Sequence, residues 1–178
     1  MIFFTADQHF GHENIISLAK RPFSSVSEMN EVMVRRWNDK VGESDVVYVL
    51  GDLFFRCDNV ERILVRLRGR KILVAGNHDS SWMNGVDLCR YFVASCHSME
   101  TLDAGRAYTL CHYPMLTWRG EARSYMIHGH IHANTDLDYW PLIKIRDRVL
   151  NAGVEVNNYA PVTFEELLAN NIRFKQAN

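Results

Sequence analysis

Apolar and polar positions follow two rhythms along this chain. In the first half, short unbroken apolar runs are separated by stretches with helical spacing. Met1–Ala6, Asp45–Leu50 and Lys71–Ala75 are apolar runs of strand length, which predicts strands buried on both faces. Between the first two, a helix is expected from about His12. A second is expected from Ser25, whose hydroxyl and Glu28 three residues on form a capping box. Val26, Met29, Met33 and Trp37 recur on one face, so that helix runs to about Lys40 with a core stripe. Asp58 with Glu61 predicts another cap, Val60, Ile63, Leu64 and Leu67 form its apolar face, and Gly69 ends it. In the second half, Tyr91–Leu102, Ala107–His112, Ser124–His128 and Arg148–Val156 read as strands. Thr163–Asn170 reads as a closing helix capped by Thr163 and Glu166. The order β-α-α-β-α-β implies a largely parallel sheet. Two facing sheets with helices outside satisfy the whole pattern.

Composition narrows this little. The 178 residues suit one domain, and 47% hydrophobic with 23% charged is ordinary for a globular protein. Twenty Lys+Arg against 21 Asp+Glu leave a formal charge of −1, which argues against gripping nucleic acid by bulk charge. The N-terminal run lacks a charged leader and does not read as a signal peptide. No apolar run reaches membrane-spanning length. Cys57, Cys89, Cys96 and Cys111 show no metal-ligand spacing, and reduced thiols in a cytoplasmic protein are expected.

The eight histidines are the first sign of chemistry, and five fall between His97 and His132. The residues at the end of each apolar run are more specific. The first run leads into Asp7-Gln8-His9, the second into Gly51-Asp52 and the third into Gly76-Asn77-His78-Asp79. Later runs lead into His112 and into Gly129-His130-Ile131-His132. Each motif alone is weak: a Gly-Asp or Gly-Asn is usually a turn. As an ordered set at five strand ends they point to one site, since α/β sheets bind ligands beyond the carboxyl ends of their strands. Carboxylate, amide and imidazole donors without thiolates suit manganese, iron or zinc and argue against a structural zinc cage. Seven such donors exceed the needs of one ion and suit two ions sharing a carboxylate, an arrangement that clamps both oxygens of a displacement at phosphorus.

This set, Asp7-x-His9, Gly51-Asp52, Gly76-Asn77-His78-Asp79, His112 and Gly129-His130-x-His132, resembles the calcineurin-like metallophosphoesterases over residues 7 to 132. His9-Phe10-Gly11-His12, Asn14-Ile15-Ile16, Arg21-Pro22-Phe23, His112-Tyr113-Pro114, Asn151-Ala152-Gly153-Val154 and Pro161-Val162 resemble a group of small bacterial and phage phosphoesterases. The resemblance implies a four-layer α/β/β/α sandwich of two facing mixed sheets, as a single domain over 1–178 with no cap domain. It implies two divalent ions, manganese favoured, with iron, zinc or nickel as alternatives. Asp7, His9, Asp52 and His132 would hold one ion. Asp52, Asn77, His112 and His130 would hold the other, with Asp52 as the bridge. His78 would assist the leaving oxygen after in-line attack by a metal-bridging hydroxide, and Asp79 beside it is a further catalytic candidate. The implied substrates are phosphodiesters, with phosphomonoesters as an addition. A nucleotide or a nucleic-acid end is the expected partner, and no membrane.

One departure bears on mechanism. In the serine/threonine phosphatase branch the Gly-Asp is followed, three residues after its Asp, by an aspartate that orients the catalytic histidine, and then by an arginine. Here Phe55 and Arg56 stand there. This counts against a protein phosphatase, which remains an alternative reading together with other monoesterases and a non-catalytic scaffold. Arg56, His12 and Arg21 are candidate substrate contacts, each with a plainer reading as loop cap, helix start or turn. Trp118 and Arg119 read as surface loop, His128 as core and His97 as without function.

Overall fold

The computed structural model describes residues 1–177. The strands are β1 (Ile2–Thr5), β2 (Val46–Val49), β3 (Arg70–Val74), β4 (Phe92–Cys96), β5 (Ser98–Asp103), β6 (Arg106–Cys111), β7 (Ser124–His128) and β8 (Val149–Asn151). The helices are α1 (Ile15–Leu18), α2 (Val26–Lys40), α3 (Val60–Leu64), α4 (Ser80–Met83), α5 (Trp140–Lys144) and α6 (Phe164–Ala177). They build an α/β sandwich on two four-stranded sheets, ordered β1-β2-β3-β4 and β5-β6-β7-β8. The first sheet is parallel throughout, as the β-α-α-β-α-β order implied, and not mixed as the resemblance implied. The second is mixed, with only the β5–β6 pair antiparallel.

Strand alternation sorts the core. Phe3, Val47, Val49 and Leu73 face one way and pack with Met29, Met33 and Trp37 of α2 and with Val60, Ile63 and Leu64 of α3. Phe4, Tyr48, Leu50 and Val74 face the other way and pack with Tyr108, Leu110, Ile127 and Leu150 of the second sheet. In a sheet wound in sequential order, crossovers of one hand all fall on one face, which leaves the other to the second sheet. The outer face of that sheet carries a third cluster: Met126, Val149, Ile131, and Trp140 and Ile143 of α5.

The caps follow sequence closely but not in every residue. Ser25 Oγ accepts from Glu28 N–H as expected, while the Glu28 carboxylate returns to Ser24 and not to Ser25. The α3 cap is Asn59, one residue past Asp58. That helix ends at Leu64, well before Gly69. Thr163 and Glu166 form the reciprocal box on α6, which runs beyond Asn170. The helix expected from His12 is a single turn beginning at Ile15.

Two expected strands divide. Tyr91–Leu102 becomes β4 and β5 in different sheets, with exposed His97 as the corner. Arg148–Val156 contributes only β8, and the residues after it turn to pair with the free edge of β1 through Ala6↔Gly153 and Phe4↔Val162. Among the described residues no helix is long and apolar enough to cross a membrane. All four cysteines are free thiols.

Candidate metal centre

Parallel pairing sends β1, β2 and β3 out at one end of the first sheet, and β6 and β7 are parallel in the second. The loops after these five strands converge. Asp7, His9 and His132 bring one ligand atom each to within 4.8 Å of one another, and so do Asp7, Asp52 and His112. Either group could hold a metal ion. Asp7 is the member common to both groups. Asp52, expected as the bridge, also touches both sides: its Oδ2 lies 3.6 Å from His9 Nε2 and 3.4 Å from His112 Nε2. Asn77 Oδ1 lies 3.0 Å from both His112 Nε2 and His130 Nδ1. All seven expected ligands are therefore in one constellation.

The backbone is bent to achieve this. Asp7, His9, Asp52, His130 and His132 have φ between 50° and 71°, the left-handed region that costs non-glycine residues about 1–3 kcal/mol each. Hydrogen bonds between loops hold it: Asp7 N–H donates to Gly51 O at 3.0 Å, His9 N–H to Asp52 O at 3.0 Å, and His78 N–H to Asp52 Oδ1 at 2.9 Å. Two glycines permit the approach. A Cβ on Gly51, itself at φ +86°, would stand 2.4 Å from His112 Nδ1, and one on Gly129 would stand 2.8 Å from Asp7 Oδ2.

The donor set fits a cation. His9 is 2% exposed, yet neither ring nitrogen has a hydrogen-bond partner, an unusual cost for a buried imidazole. Burial, then His132, pushes its pKa down to about 2, so it presents a neutral ring with a free lone pair. Asp7 is fully buried and its carboxyl is pushed up to about 7 by that burial, a condition a bound cation would relieve. Burial opposes charge on His112 and Asp52 as well, but their mutual contact prevails, raising the imidazole to about 9 and lowering the carboxyl.

Of the remaining candidates, His78 reaches the site: its side chain is 36% exposed and Nε2 lies 3.9 Å from Asp52 Oδ2. Where a carboxylate was missing, the Phe55 ring stands edge-on to His78 at 4.4 Å and to His12 at 4.5 Å. His12 and His78 line a cleft of about 720 Å³ floored by His9, His130 and His132 and walled by Ile15, Lys20, Asn134 and Tyr139. Arg56 is exposed, with its guanidinium over the Phe55 ring.

Two candidates are corrected. Asp79 is wholly buried and accepts from Asp52 N–H, Leu53 N–H, Gly76 N–H and Trp82 Nε1–H at 2.8–3.0 Å. It ties the loops after β2 and β3 together and does not line the cleft. Arg21 has no exposed side-chain surface; it pairs with Glu155 and donates to the carbonyls of Asp7 and Gln8. Glu155 was missed, because its segment read as strand. It is buried and lies 2.9 Å from His132 Nδ1. Its signal was a lone acid four residues past the Asn151 strand end. Trp118 bonds to Ser124 and exposed Arg119 to Glu100, as surface-loop residues do, and His128 is in the core.

No protein-family model matches the chain. It is 35% identical over 167 residues to the uncharacterised protein MJ1445 of Methanocaldococcus jannaschii, covering 92% of this chain and 87% of that one. The solved structure of AQ665, a protein of unknown function from Aquifex aeolicus, superposes with a TM-score of 0.73 at 30% identity, over 93% of this chain and 96% of that one. The E. coli phosphoesterase YfcE aligns with 74% of this chain and 69% of its own at 15% identity and a TM-score of 0.36, too remote to bear on the chemistry.

Proposed function

Because this chain belongs to the family of the uncharacterised protein MJ1445, its chemistry has to be read from its own site, and we propose that it is a dinuclear metal-dependent phosphoesterase acting on phosphodiesters. The observation that carries the reading is the convergence of oxygen and imidazole donors from five strand ends around a buried His9 without hydrogen-bond partners. In this reading Asp7, His9, Asp52 and His132 hold one divalent ion, and Asp52, Asn77, His112 and His130 hold the other. Manganese is favoured for such oxygen and imidazole donors. When bound, the pair supplies Lewis-acid charge neutralisation and activates water at neutral pH.

The protein's own groups do the rest. His78, half-exposed at the mouth of the site, gives a proton to the departing ester oxygen, a contribution typically worth about 10²–10⁴ in rate. Phe55 limits the ring positions open to it. The cleft takes the organic part of the ester: Ile15, Leu18 and Tyr139 offer apolar surface, Lys20 a positive charge, and His12 a ring nitrogen at the rim. That mixture suits a nucleotide or a nucleic-acid end. In this reading residues 1–177 form a cytoplasmic phosphoesterase domain of four layers.

The test is metal analysis combined with hydrolysis of bis(p-nitrophenyl) phosphate and p-nitrophenyl phosphate by manganese-loaded protein. Two ions per chain and turnover favouring the diester are expected. Metal uptake with no turnover of either compound would leave only a scaffold, and preference for the monoester would move the assignment to a phosphomonoesterase.

A further inference from the structure

Two buried frameworks hold the ligand loops, and they share no residue. One is the Asp79 carboxylate, which gathers the N–H groups of Asp52, Leu53 and Gly76. The other is Arg21 with Glu155, whose side chains are 0% and 4% exposed. Glu155 Oε1 lies 2.9 Å from His132 Nδ1 and accepts from Arg21 Nε at 3.0 Å and Nη2 at 2.6 Å. The same guanidinium donates to Gln8 O at 2.7 Å and Asp7 O at 2.6 Å, the carbonyls of the loop held at positive φ. Arg21 thus fastens the Asp7–His9 loop to the carboxylate that holds His132.

We propose that Glu155, anchored by Arg21, is the positioning residue for the group Asp7, His9 and His132, and that it sets the affinity of the ion held there far more than that of the ion held by Asn77, His112 and His130. The proposal rests on the two-ion reading above. Its physical basis is that a carboxylate on one imidazole nitrogen fixes the tautomer and ring direction, so that the other nitrogen presents its lone pair. Loss of such a partner typically lowers metal affinity about 10–100-fold. The hydrogen bonds of Glu155 and Arg21 reach no residue of the Asn77 group directly; the link runs only through Asp7, whose carboxylate accepts from His130 N–H, so the second ion should feel the loss far less.

The experiment is a manganese titration followed by the electron paramagnetic resonance signal of free ion, with no activity readout. Removing one charge alone would strand the other in the interior, so the pair is replaced together as Arg21→Met/Glu155→Met, a swap that buried ion pairs commonly tolerate. One of the two ions should then bind about 10–100-fold more weakly and the other within about twofold of wild type. Arg21→Met/Glu155→Gln, which puts an amide oxygen back beside His132, should recover part of the loss. Weakening of both ions together, or of neither, at an unchanged thermal midpoint overturns the proposal. A wild-type chain that takes up fewer than two manganese ions overturns the two-ion reading on which it rests, a separately visible result.

Discussion

Asp79→Asn separates a catalytic aspartate from a structural one. The carboxylate receives two N–H groups on each oxygen: Asp52 and Gly76 on Oδ2, Leu53 and the Trp82 indole on Oδ1. An asparagine keeps one oxygen and turns an NH₂ toward the other two donors, leaving both unsatisfied in a fully buried place. At about 1–3 kcal/mol per stranded donor, less the relief from no longer burying a charge, the net loss is about 2–4 kcal/mol. In a chain of this size each kcal/mol moves the thermal midpoint by about 2–4 °C, so a fall of roughly 5–15 °C is expected in a calorimetric or fluorescence melt. Turnover measured well below the melt should stay within about tenfold of wild type, whereas a lost catalytic group typically costs about 10²–10⁴. A midpoint within about 2 °C of wild type, together with a turnover loss of about a hundredfold or more, would refute the structural reading of Asp79.

Three further outcomes are expected. His78→Asn should keep both ions and lose about 10²–10⁴ in rate on esters with alkoxide leaving groups, but far less on p-nitrophenyl esters, which depart without a proton; equal losses on both would remove His78 as proton donor. Asp52→Asn should weaken both ions, since its Oδ2 reaches toward His9 and His112 alike, and elemental analysis showing one ion fully retained would contradict a bridging role. Metal loading at pH 7 should release at least one proton per chain. His112, raised to about 9, is protonated there in the metal-free protein and must lose that proton to bind, and Asp7, at about 7, holds part of another. Affinity should therefore climb as pH rises from 6 toward 9, and titration heats that do not depend on the buffer's ionisation enthalpy would contradict this.

The legible part of this protein is local. Short apolar runs ended by Asp7, Gly51 and Gly76 are enough to predict β1, β2 and β3, and helical spacing with a serine cap predicts α2 from Val26 to Lys40, because these signals act within a few residues. All seven proposed ligands could be named from sequence because each follows an apolar run, and parallel strands deliver their carboxyl ends to one place. Tertiary structure decided what depends on distant partners. The strand expected at Tyr91–Leu102 changes sheets at His97, and one-dimensional alternation cannot say which sheet a strand joins. Asp79 stands beside the catalytic candidate in sequence, but its carboxylate turns inward to four N–H donors. Arg21 and Glu155 are 134 residues apart and meet only because the segment after β8 folds back along β1. A charged side chain looks the same in sequence whether it meets substrate or is buried beneath a ligand. Burial and its partners settle which, and those exist only once the two sheets have closed on each other.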